Sequence, residues 1–147
     1  MVTQNLALLF AGQGAQYTGM GKDLYAAFLE SKLVFDQADR VLGFSLSKLC
    51  FSGPEEELKQ TQNCQPAILT MSIAAWEAFK SVVHLPPSTF RYVAGLSLGE
   101  YSALVVAGAI SFADAVYLVR KRGEFMEQEA QASPGSMASV LGLDRDG

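Results

Sequence analysis

Histidine and cysteine are scarce in these 147 residues: His84 is the single histidine, and Cys50 and Cys64 are the two cysteines, without CxxC spacing. No Cys/His/Asp cluster has ligand spacing, so a metal site is not expected. No basic flank with a long apolar core precedes Asn5, which excludes a signal peptide and, with the cysteine usage, points to a reducing, intracellular compartment. Long apolar runs are missing as well. The stretch around Leu104 to Ala109 falls far short of the roughly 20 residues a membrane span needs. Basic residues are outnumbered 11 to 15, for a net charge of −4, and they scatter apart from Arg120, Lys121 and Arg122. Nucleic acid is therefore not an expected partner. No repeat or low-complexity stretch stands out.

What is present is the composition of one globular domain, with half the residues hydrophobic and enough chain to bury a substantial core. Asn5–Phe10 (NLALLF) reads as a buried strand ending in a glycine-rich turn. Helical spacing follows over Asp23–Phe28 and Lys32–Leu42, where Gly43 is a stop signal. A short helix is expected over Ser45–Cys50, and Ser52–Leu58 reads as a turn and helix start with acidic residues where the dipole favours them. Beyond Asn63 and Pro66, the spacing predicts a deeply buried helix over Ala67–Val82. Phe90–Ala94 is a strand, Leu98–Gly108 and Phe112–Gln131 are helices, and Ser136–Leu141 begins a further strand. This order predicts an α/β domain with a mainly parallel sheet.

Gly95-Leu-Ser97-Leu-Gly99 fits the G-x-S-x-G nucleophile elbow, in its required context of a strand before and a helix after. The turn needs small neighbours, and a serine at a helix N-terminus has free N–H groups and positive dipole at hand for an oxyanion. The donor expected beside Ser97 is the Leu98 N–H. The competing reading is a serine that merely caps a helix. Gly12-Gln13-Gly14 follows the first strand, but it is no dinucleotide fingerprint, because Tyr17 stands where the third glycine belongs. A P-loop fails for want of Gly-Lys-Ser/Thr. What remains is a tight turn at a strand's carboxyl end, whose Gln13 N–H could be a second oxyanion donor or whose glutamines could simply be solvated.

Taken together, "LLFAGQGAQYTGMG", "NCQPAILTMSIAAWEAF", "VAGLSLGEYSALVVAGAISFADAVYLVRKRGEFMEQ" and "SMASVLGL" resemble the malonyl-CoA:acyl-carrier-protein transacylase family. The resemblance implies a parallel-sheet, α/β-hydrolase-like acyltransferase large subdomain over 1–133, incomplete here. Residues 134–147 would open a small ferredoxin-like subdomain. It implies that Ser97 takes malonyl from coenzyme A as an ester and yields it to the phosphopantetheine thiol of acyl carrier protein, in fatty acid or polyketide synthesis. Gln13 and Leu98 fall on the oxyanion-hole positions, and Arg122 on the arginine that pairs with the malonyl carboxylate. A planar guanidinium suits that role, since it binds a carboxylate bidentately. Malonyl-CoA enters as substrate, no cofactor is implied, and acyl carrier protein is the partner.

Two departures accompany the resemblance. Leu96 stands where the family usually has a histidine in its elbow. The family's general-base histidine lies far downstream, after the small subdomain, and no residue here matches it. His84, in a polar-flanked loop ahead of the elbow, reads as a surface residue. Arg120 and Lys121 read as a solvated helix face. Two rivals stay open, a serine hydrolase or thioesterase on the same elbow and a non-catalytic module that binds acyl-CoA or carrier protein. A first strand starting by Leu6 leaves little room for a transit peptide, which favours the cytoplasm over a mitochondrion or plastid.

Overall fold

The computed structural model describes residues 6–86, 89–133 and 135. The strand expected at Ser136–Leu141 and the subdomain boundary at 134 lie outside the described residues. In chain order the elements are β1 (Leu6–Phe10), α1 (Lys22–Ala27), α2 (Leu29–Leu42), α3 (Leu46–Ser52), α4 (Glu55–Lys59), α5 (Thr61–Val82), β2 (Phe90–Gly95), α6 (Gly99–Val106) and α7 (Phe112–Ala132). The two strands pair in parallel, with Leu8 opposite Val93 and Phe10 opposite Gly95. The carboxyl ends of both strands therefore lie side by side, and the two glycine-rich turns leave from the same edge.

The core is helical. Phe35, Leu46, Leu58, Leu69, Val116 and Val119 are fully buried among α2, α3, α4, α5 and α7. Local signals set the helix limits: Gly43 closes α2 in the left-handed region at φ 73°, and the Ser111 hydroxyl accepts the Asp114 N–H at 3.1 Å to cap α7. Trp76 on α5 stacks with Phe79 and meets Phe90 edge-on at 5.3 Å, tying α5 to the start of β2.

Two expectations are corrected. Helix α5 starts at Thr61, six residues before Ala67, and contains Pro66. Proline removes one internal N–H and so reads as a helix boundary, but here the carbonyl it would have bonded, Gln62 O, accepts Arg120 Nη1 at 3.0 Å. A partner from α7 satisfies what the sequence alone leaves open. The first strand, in turn, is not buried: Leu9 is 80% exposed, and Tyr92 on β2 is 68% exposed. Parallel strands are normally covered on both faces, and the two described strands cannot supply that cover for each other.

Candidate active site

Strand β2 runs into α6 through a turn with almost no free space. A Cβ on Gly95 would lie 2.0 Å from the Gly99 carbonyl carbon, and one on Gly99 would lie 2.3 Å from Phe10 O. Only glycine lets the strand, the helix and the neighbouring strand end approach this closely. Between the two glycines, Ser97 has φ 52°, the sole non-glycine among the described residues with positive φ. That sparsely allowed conformation makes a tight strand-to-helix turn, and it leaves the side chain exposed beyond the strand ends. Leu98 follows as the N-cap of α6, with its side chain fully buried.

Gln13 lies in the turn after β1, next to the elbow: the Leu96 N–H donates to Phe10 O at 3.3 Å, and a Cβ on Gly12 would lie 2.7 Å from Leu96 O. Among the described residues, neither the Gln13 nor the Leu98 N–H has a hydrogen-bond acceptor. Both N–H groups are therefore unspent, one in each of the two adjoining turns. The Leu96 side chain is 75% exposed and occupies no buried position in the site.

Arg122 reaches the serine from α7. Its Nη2 donates to Ser97 Oγ at 3.0 Å, and its Nη1 donates to Gln65 Oε1 at 2.7 Å. Gln65 is fully buried on α5. Arginine offers only donors, so the amide oxygen must face it, and the amide nitrogen turns to Met126 Sδ at 3.2 Å and Gln13 Oε1 at 3.5 Å. Ser97, Arg122, Gln65 and Gln13 therefore form one connected set drawn from four segments of the chain. Helix α7 comes close enough because Gly123 faces α5, where a Cβ would lie 2.6 Å from Gln62 Cα.

Gln65 and Asn63 were not singled out from the sequence. The available signal was two polar residues in "NCQP" at the head of an apolar helix, and both are buried. Arg120 is likewise not part of a solvated face. It donates to Gln62 O, to Asn63 Oδ1 and, through Nε, to Glu124 Oε1 at 2.9 Å, while its guanidinium lies 5.3 Å from the Phe44 ring centre. Lys121 does stay on the outside, paired with Glu124 at 2.7 Å. Their hydrogen bonds, that of Lys121 first, hold the Glu124 carboxyl below its usual range.

The remaining candidates for chemistry lie elsewhere. His84 is exposed in the segment after α5, near the start of β2 and so at the end of the sheet opposite Ser97, with about 16 Å of strand rise between those ends. Burial pushes the Cys50 thiol up to about 12 and the Cys64 thiol up to about 11, which keeps both protonated and poor nucleophiles at neutral pH. No three His, Cys, Asp or Glu side chains gather as a metal site among the described residues. No described helix is long and apolar enough to cross a membrane.

The acyl transferase domain family matches residues 7–145. The chain is 55% identical to the malonyl CoA-acyl carrier protein transacylase of Bacillus subtilis strain 168, over 96% of this chain and 43% of that protein. The crystal structure of an acyl-carrier-protein S-malonyltransferase from Burkholderia pseudomallei superposes with a TM-score of 0.85 at 43% identity, over 97% of this chain and 45% of that one. A malonyl-transacylase in complex with a type II PKS acyl-carrier protein superposes with a TM-score of 0.78 at 45% identity, covering 88% and 40%. The chain thus spans about two fifths of the length of the curated relatives it matches. With a family match across nearly its whole length, this chain belongs to the acyl transferase domain family.

Proposed function

We propose that this chain carries the acyl-accepting serine of a malonyl transferase that moves malonyl from coenzyme A to the phosphopantetheine thiol of acyl carrier protein. The Ser97 oxygen attacks the thioester carbonyl, the negative charge on the tetrahedral oxygen falls to the Gln13 and Leu98 N–H groups, and coenzyme A leaves as its thiol. The carrier thiol then attacks the malonyl ester, and Ser97 regains its proton. In this reading the family's histidine, in the portion of the relatives this chain does not span, relays the protons: it passes that of Ser97 to the departing coenzyme A sulfur, then takes that of the carrier thiol and returns it to Ser97. The partner assignment draws on the neighbour held in complex with an acyl-carrier protein. The cytoplasmic setting draws on the two free thiols, Cys50 and Cys64.

One observation carries the reading: the Arg122 guanidinium sits 3.0 Å from Ser97 Oγ. An arginine fork beside the acylated atom suits an acyl group that ends in a carboxylate. A hydrolase of neutral esters gains nothing from it, and a module that only binds has no use for a strained serine. The test is a transfer assay on the intact protein with malonyl-CoA and acyl carrier protein. Malonyl appears on the carrier thiol, and Ser97→Ala stops it. Release of free malonate in place of transfer would favour the hydrolase.

A further inference from the structure

Pro66 stands inside α5 where a residue with an N–H would have closed a bond to Gln62 O. The segment that carries this break also carries Gln65, the partner of Arg122 Nη1 at 2.7 Å. A helix start with an unspent carbonyl is free to open, and Gln65 would shift with it. Arg120 closes the break from outside. One nitrogen, Nη1, donates to Gln62 O at 3.0 Å and to Asn63 Oδ1, and the Asn63 amide in turn donates to Glu57 O at 2.9 Å. Arg120 itself is fixed by Glu124 at 2.9 Å and by the Phe44 ring. Arg120 and Arg122 leave the same stretch of α7 and grip the same turn of α5, with Gly123 pressed against Gln62 beside them.

We infer that Arg120 is a positioning residue for acyl selection: it supplies the hydrogen bond Pro66 removes, and so holds Gln65 where it aims Arg122 at Ser97. The inference rests on the carboxylate-binding role proposed for Arg122. Arg120 hydrogen-bonds Gln62, Asn63 and Glu124 rather than Ser97 or Gln65, so its influence passes through the backbone of α5.

The test compares loading of Ser97 from malonyl-CoA and from acetyl-CoA in the intact protein. Arg120→Met keeps the aliphatic stem over Phe44 and removes the donors. It is expected to lower the malonyl-to-acetyl ratio by about tenfold, the scale of one lost charged hydrogen bond. Adding Pro66→Ala restores an N–H for Gln62 O, and the double variant should recover a large part of the ratio. If Arg120→Met does not fold, Arg120→Leu, which likewise has no donor, is read the same way. Equal loss for both acyl groups, an unchanged ratio, or a fall that Pro66→Ala leaves untouched would each overturn the inference. Arg122→Ala is run alongside. If that variant leaves the ratio unchanged, the carboxylate role itself fails; if it lowers the ratio and Arg120→Met does not, only the positioning role fails.

Discussion

Ser97 and Arg122 answer different parts of one chemical problem. A backbone held at φ 52° points the serine out of the sheet, and the strain is tolerated because Gly95, Gly99 and the Phe10 carbonyl leave the turn no other shape. In the proposed function, Arg122 sets which acyl group the serine accepts. Removing it should spare any acyl group without a carboxylate. Arg122→Ala is expected to lower malonyl loading about 10- to 100-fold more than acetyl loading, since hydrogen bonds to a charged group contribute roughly 1.5–3 kcal/mol. Parallel kinetics with the two thioesters check this. The serine and the small residues around it were legible in the sequence, because an elbow is written within five consecutive residues. Gln65 was not: its partner Arg122 lies 57 positions away, and nothing in a local pattern announces a contact of that kind.

At the scale of elements, the junction of α5 and α7 decides the geometry of the site. Gly123 permits the approach, and Gly123→Ala would place a methyl group 2.6 Å from Gln62 Cα. Alanine's better helix propensity offsets about 1 kcal/mol, against overpacking that typically costs 1–3 kcal/mol. Net destabilisation by denaturant unfolding, with a larger fall in malonyl than in acetyl loading, is the expected outcome. Glu124 adds a pH dependence. Its folded carboxyl titrates below its unfolded value, so its pairing is fully present above the ordinary carboxylate range near 4.3 and is lost as pH falls through the folded value. Glu124→Gln should therefore cost no more than about 1 kcal/mol at neutral pH. Unfolding curves for the two proteins should converge in strong acid. The start of α5 was misplaced from sequence for a related reason. The rule that proline ends helices is a statement about unpaired carbonyls, and at Gln62 the pairing comes from another helix.

Across the whole molecule, the described residues combine a well-packed helical core with a two-stranded sheet that is only partly enclosed. Beside β1, an open groove of about 400 Å³ runs between Leu9, Phe10, Met71, Trp76 and Phe79. Burial of β1 could not be read from its apolar run alone, because cover depends on how many strands and helices surround it, not on the five residues themselves. Parallel pairing was readable: strands alternating with helical connections favour a parallel sheet. That pairing brings the β1 and β2 turns to one edge, where Ser97 meets Arg122 and Gln13 joins them through Gln65. In the proposed function, the assembled edge accepts an acyl group on Ser97. Incubating the intact protein with malonyl-CoA and mapping the product by peptide mass spectrometry tests it most directly. One malonyl group is expected, on the peptide carrying Ser97 and absent from Ser97→Ala; no adduct, or an adduct on Cys50 or Cys64, would mean that Ser97 is not the acyl acceptor.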